Sequence, residues 1–254
     1  MTLEYVDVET AKAAKGTRLV VNGIVPSPWS EAMKACFIVA GLPTLVVRRA
    51  LDNAAIDAWT GIDNVPALIH DREPIRSNWA AIVAFVDRMA PDRGVLPRAA
   101  DERARVMGTL DAIAGEGGIG WNARLAMIDA SMTSGGTIGF PAPVAKYLAK
   151  RYGYSPAAVA TARERIAEQL AFVASQLRGA YFGGETPNAI DAYCATFLTP
   201  LAAPITDAEC PDVVPPLRHA FSTAHMAFGS LVPAALLEHR ERMFTTHLPR
   251  PIRL

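Results

Sequence analysis

Cysteine is scarce in this chain: Cys36, Cys194 and Cys210 are the only three among 254 residues. They are widely spaced and odd in number, which excludes a disulfide framework and the paired spacings of a zinc site, and they read as buried thiols. An excess of charge of either sign is also missing, since 25 basic residues balance 25 acidic ones. No long-range field draws the chain to nucleic acid or to an anionic membrane, and neither partner is expected. Long apolar runs are absent too. The longest clean one, Trp79 to Val86, falls far short of the roughly 20 residues a transmembrane helix needs, so no membrane span is expected. The segment Met1 to Gly16 lacks the apolar stretch and small-residue cleavage site of a secretory signal, which makes the cytoplasm the expected compartment. No two of the five histidines stand three or four residues apart, so no helical metal face is expected, and no G-x-S-x-G elbow supports a hydrolase.

What is present is a globular composition, 51% hydrophobic and 20% charged, which excludes disorder and suits one or two packed domains. From Thr17 to about Asp87 short β-rich runs alternate with helical stretches, the grammar of a small mixed α/β unit. Arg18 to Val21, Thr44 to Val47 and Val65 to Ile69 read as strands, Pro28 to Ala40 and Trp79 to Met89 as helices, and Gly41 as a helix stop. Ala90 to Pro97 reads as a linker. Beyond it only helical periodicity remains, over Asp101 to Ala114, Asn188 to Leu198, Val214 to Phe228 and Pro233 to Thr245. The strongest stripe, Val159, Ala162, Ile166, Leu170, Val173 and Leu177, predicts one helix over Ser155 to Arg178, with Ser155 as N-cap and Pro156 at the first helical position. The expected division is therefore an α/β domain over 17–90 and an all-helical domain over 98–254.

Ser27-Pro28-Trp29-Ser30 lies where a strand gives way to a helix. At such a junction the helix directs its free amides and positive dipole end toward whatever binds there, which stabilises a thiolate. With serine rather than cysteine at position 27, the thiolate must belong to a bound thiol, and the serine hydroxyl is a hydrogen-bond donor to it, not a base. The alternative reading of Ser27 is an N-cap of the helix at Pro28. Gly115 to Gly120 matches G-x-G-x-x-G, but a helix precedes it where a dinucleotide site needs a strand, so a helix break is expected. Trp121, Asn122 and Arg124 follow that break, and Trp121 reads either as core packing or as part of a pocket.

Together these motifs resemble the cytosolic glutathione S-transferase superfamily, in its serine-type, bacterial-like subgroup, from about Arg18 to the C-terminus. The resemblance rests on Ser27-Pro-Trp-Ser through Gly41-Leu-Pro, on Val65-Pro66-Ala67-Leu68, on Phe85-Val-Asp-Arg through Leu96-Pro97, and on Gly183-Gly-Glu-Thr-Pro-Asn-Ala-Ile-Asp191. In the last of these, Asn188 and Asp191 have the spacing of a capping box, a structural feature. The resemblance implies a thioredoxin-like α/β N-terminal domain followed by an all-α C-terminal domain. It implies glutathione as co-substrate with no metal, a small-molecule electrophile bound between the domains, and a homodimer. Ser27 would sit at the sulfur, with Ser30 as the other serine of the motif, Val65 would pair its backbone with the cysteinyl unit, and Pro66 would be cis. Trp29, Ser77, Asn78 and Trp121 complete the expected substrate-binding set. The chain departs from the pattern at Ile75-Arg76-Ser77-Asn78-Trp79, where the family carries an acidic residue followed by serine: matching Ile75 aligns Ser77-Asn78 with that pair, and matching Ile82 and Phe85 aligns Asn78-Trp79. The carboxylate that would pair with the ligand's ammonium is missing, and Arg76 is either a solvated arginine or an attractor for a carboxylate. Three activities are compatible with this set: conjugation of glutathione to an electrophile, glutathione-dependent isomerisation or dehalogenation, and binding or scaffolding without thiol chemistry.

Overall fold

The computed structural model describes residues 3–50 and 53–254. Its first part is built on four strands, β1 (Leu3–Tyr5), β2 (Thr17–Asn22), β3 (Thr44–Arg49) and β4 (Ala67–His70), in the spatial order β1-β3-β2-β4. β2 runs parallel to β3, which runs parallel to β1, whereas β4 is antiparallel to β2, with Leu19 opposite both Val46 and Leu68. Helices α1 (Val8–Ala13), α2 (Pro28–Ala40), α3 (Ala54–Thr60) and α4 (Trp79–Met89) connect and cover the strands. The sheet is covered on both faces, which is why Leu19-Val20-Val21 is a continuous apolar run instead of an alternating one. Leu19, Val21, Val46 and Leu68 pack toward α2 and α4, while Val20, Val47, Ala67 and Ile69 meet Ala11 of α1 and Ile56 of α3.

The second part is helical: α5 (Ala100–Ala114), α6 (Ile119–Ser134), α7 (Ala142–Arg151), α8 (Pro156–Val159), α9 (Ala162–Ser175), α10 (Ala189–Phe197), α11 (Thr199–Ala202), α12 (Pro215–Phe228) and α13 (Ala234–Thr246). One continuous apolar core joins it to the sheet, chiefly through α10 packed on α2, where the Tyr193 hydroxyl lies 3.6 Å from the Met33 sulfur. α10 opens with the expected capping box. The fully buried Asp191 accepts from the amides of Asn188 (2.7 Å) and Phe182 (3.0 Å), and meets His239 Nε2 at 2.8 Å.

Several elements differ from the sequence-based expectation. β1, α1 and α3 were not expected; α1 owes its start to Asp7, whose carboxylate accepts from the Thr10 amide at 2.8 Å. The helix expected over Ser155 to Arg178 is two helices. Ser155 does cap, accepting from the Ala158 amide at 3.1 Å, but the helix it opens ends at Val159. Thr161 takes φ −108° and ψ 4°, and a new helix starts at Ala162. The stripe ran through this break because Ala162, Ile166, Leu170 and Val173 are buried on α9 while Val159 is only half-buried, so the continuous pattern crossed an exposed joint. α6 and α7 were not expected as helices, since α6 turns polar Asn122, Arg124 and Ser131 inward and so hides its apolar period.

Candidate functional site

A cleft of about 280 Å³ opens where the N-terminus of α2, the start of β4 and the N-terminus of α4 meet the end of α5 and the start of α6. Ser27, Trp29, Val65, Pro66, Ser77, Asn78 and Trp121, all expected from sequence, line it together. Ser27 occupies the N-cap position of α2, yet its side chain makes no capping hydrogen bond. Its carbonyl accepts from the Glu31 amide at 2.9 Å, so helix start and free hydroxyl coexist in one residue. The capping reading of its side chain is thereby corrected: backbone geometry and Pro28 start α2 without it.

Ser30 is also placed differently from expectation. It is fully buried, and its Oγ accepts from the Asn22 amide at 3.1 Å, fastening the β2–α2 loop and facing away from the cleft. The same loop is held by the Asn22 side chain, which accepts from the amides of Ile24 and Val25, both at 2.9 Å. Ser27 thus stands on a loop pinned from two sides.

The Val65–Pro66 bond is cis. β4 begins its ladder at Ala67, opposite Val20, and neither backbone polar group of Val65 takes part in a backbone hydrogen bond among the described residues. A peptide-like ligand can use both. At the start of α4 the Asn78 side chain accepts from the amides of Ala80 (2.9 Å) and Ala81 (3.3 Å). Two of the amides at this helix start are therefore partnered from within the helix, while the backbone amides of Ser77, Asn78 and Trp79 take part in no hydrogen bond among the described residues. Arg76 is not an open attractor for carboxylates: it bonds Glu73 at 2.7 Å and stacks over the Phe85 ring at 5.2 Å. Arg88 holds the same Glu73, whose carboxyl is pulled below its usual range by hydrogen bonds from Arg88 and Arg76.

The other wall is aromatic. Trp29 meets Phe197 edge-on at 5.0 Å and Tyr152 at 6.2 Å, and Trp121 lies 4.6 Å from Tyr152. Trp121 is therefore both packed and cleft-lining, which joins its two readings. The buried Arg124 lies 5.9 Å from Trp29, 5.2 Å from Phe140 and 5.8 Å from Tyr152, a cation behind the aromatic wall. Sequence reasoning missed Asn64, Trp79, Glu116 and Tyr152. Glu116, exposed in the glycine-rich turn, is the one carboxylate among the described residues that line the cleft. The turn is a helix break, as its context indicated: the carbonyls of Gly117 and Gly118 accept from the Asn122 side chain, and Gln169 also donates to Gly117 at 2.8 Å. A Cβ at Gly120 would collide with the Phe197 ring, so only glycine lets α6 approach the aromatic wall this closely.

None of the three thiols competes for this chemistry. All are buried, and burial raises Cys36 and Cys194 and pushes Cys210 up to about 12. Among the described residues no helix is long and apolar enough to cross a membrane, and no group of three metal-ligating side chains assembles.

No family model matches this sequence, and no curated protein matches it. Solved structures do. Maleylpyruvate isomerase from Pseudomonas aeruginosa PAO1 is 17% identical and superposes with a TM-score of 0.54, covering 90% of this chain and 91% of its own. Glutathione transferase Omega 3C from Trametes versicolor is 14% identical, with a TM-score of 0.52 and coverage of 91% and 92%. A Methylobacterium radiotolerans glutathione S-transferase in complex with glutathione sulfonate is 18% identical, with a TM-score of 0.52 and coverage of 85% and 94%. The chain has the fold of these proteins, a thioredoxin-like sheet domain followed by a helical domain.

Proposed function

We propose that this chain binds glutathione in the cleft and activates its thiol for attack on a small electrophile. The observation that carries this reading is the Ser27 hydroxyl: it is left out of the capping of its own helix, at the N-terminus of α2, in one cleft with the unpaired backbone of Val65. Helix dipole and hydroxyl both favour a sulfur anion over a neutral thiol, so the thiol ionises nearer neutrality. Proximity to an acceptor on the aromatic wall of Trp29, Trp121 and Tyr152 supplies further acceleration. Aromatic electrophiles, neutral or cationic because Glu116 is the acid beside them, fit that wall.

The residues fit glutathione unevenly. The cysteinyl unit has Val65 and the sulfur has Ser27, while the γ-glutamyl end meets a helix start already capped by Asn78 and no carboxylate at Ser77. That arrangement favours a second reading, a glutathione transferase fold kept for binding or scaffolding. Isomerisation is a third, supported by the fold shared with maleylpyruvate isomerase. The cytoplasmic location and the homodimer belong to the same proposal, the latter checked by sedimentation. Calorimetric titration with reduced glutathione, with S-methyl glutathione as the ligand that forms no thiolate, separates the first two readings. Millimolar or tighter binding, stronger for the free thiol as pH rises, supports the first. No binding of either ligand leaves the second. A panel of conjugation and isomerisation substrates then separates the first from the third.

A further inference from the structure

Three of the chain's four tryptophans, Trp29, Trp79 and Trp121, line the cleft together with Tyr152. The charge in that lining has one sign. Glu116, exposed in the glycine-rich turn, has no ion pair and no side-chain hydrogen bond among the described residues, and none of the described lining residues is a lysine, arginine or histidine. Arg124 stands behind the wall and outside the lining, 5.9 Å from the Trp29 ring and 5.8 Å from the Tyr152 ring. Those two rings therefore already face a cation. Trp79 packs edge-on against Tyr193 at 6.1 Å. Trp121, at the start of α6 just after the turn that carries Glu116, is left as a half-buried indole with a free carboxylate near it in sequence and no protein cation against it among the described residues.

We propose that the acceptor is an aromatic electrophile bearing a fixed quaternary ammonium, held by cation–π contact with Trp121 and by the charge of Glu116. This rests on the glutathione reading above and narrows its acceptor. An aromatic face attracts a cation that donates no hydrogen bonds, and a single uncompensated carboxylate sets the sign of the charge. Repulsion from Arg124 directs the cation away from Trp29 and Tyr152 toward Trp121. With 4-(trimethylammonio)benzyl chloride the glutathione thiol gives its proton to solvent and the thiolate attacks the benzylic carbon. The carbon–sulfur bond forms as the carbon–chlorine bond breaks, and chloride leaves with the bonding pair. The ammonium is unchanged throughout, so its contacts hold substrate and transition state alike and the gain lies in KM.

The test is calorimetric titration of the full-length protein with phenyltrimethylammonium at low salt, with tert-butylbenzene, its neutral isostere, as competitor. Expected are submillimolar binding of the cation, displacement by the hydrocarbon at least tenfold weaker than self-displacement, and about fivefold loss of cation affinity in Glu116→Gln, an exposed position without partners to disturb. Trp121→Leu, checked for folding by circular dichroism, should lose at least tenfold. Absence of cation binding, displacement by tert-butylbenzene as effective as by the cation, or undiminished binding in Glu116→Gln would each overturn the proposal. Kinetics with 4-(trimethylammonio)benzyl chloride and 4-tert-butylbenzyl chloride, each as kcat/KM over its uncatalysed rate, separate this proposal from the reading beneath it. Preference for the neutral chloride by a protein that binds glutathione overturns the cationic acceptor and leaves the transferase reading standing, whereas failure to bind glutathione overturns both.

Discussion

The indole nitrogen of Trp29 donates to the carbonyl of Ala114 at 2.9 Å, tying the first turn of the helix that begins at Ser27 to the end of α5 in the helical part. That bond crosses between the two parts at the cleft itself, beside the core packing of α10 on α2. Trp29→Phe keeps an aromatic ring and removes the donor. Urea unfolding should show a loss of about 1 kcal/mol, the ordinary value of one hydrogen bond, and KM for the acceptor should rise more than kcat falls. An unchanged KM beside that stability loss would show that the bond does not set the cleft.

Ser77 lines the cleft without a carboxylate, and the Asn78 side chain is committed to its own helix. Ser77→Glu restores an acid at the expected ammonium site while leaving that cap intact. Glutathione affinity should increase about tenfold, or about 1.4 kcal/mol, by calorimetry. Equal affinity in variant and parent would mean that the ammonium lies elsewhere.

Asp191 satisfies two backbone amides and His239 from a fully buried position. Asp191→Ala strands all three, so a loss of about 3 kcal/mol or more is expected. Asn188→Ala removes the side-chain half of the capping box, the acceptor for the Ile190 and Asp191 amides, and should cost about 1 kcal/mol. Similar losses in the two variants, measured by denaturant unfolding, would refute this division of roles.

Glu73 is held below the usual glutamate range by hydrogen bonds from Arg88 and Arg76. Its folded form binds a proton less readily than its unfolded form, so its contribution to stability is present above the unfolded value of about 4.3 and is lost as pH falls through the lower folded value. Glu31, raised by burial, acts in the opposite direction. The Tm gap between the parent and Glu73→Gln should therefore be widest near neutrality at low salt and close toward pH 3. A gap constant with pH would contradict the pairing.

The site was legible in the sequence where local chemistry fixes geometry. Ser27-Pro28 at a strand-to-helix junction and the Asn188/Asp191 box each announce a backbone arrangement within a few residues, and the structure has both; the cis Val65–Pro66 bond was implied by the family resemblance alone, since an X-Pro bond read by itself is trans. Ser30 shows the limit, since only the fold reveals that its hydroxyl turns toward the Asn22 amide. Glu116 and Tyr152 were invisible for another reason: they come from a turn and from the end of α7, and tertiary packing alone brings them beside Ser27. The break at Thr161 escaped because periodicity records which face is apolar and not whether the chain between two stripes is buried.

The central claim is that Ser27 stabilises a glutathione thiolate, and the most direct measurement is ultraviolet titration of that thiolate in the complex, for the parent and for Ser27→Ala. The account predicts a bound thiol pKa below the ordinary thiol value of about 8.5, returning toward it in Ser27→Ala with glutathione still bound. An unshifted thiol in the parent, or a shift that survives the substitution, would contradict it.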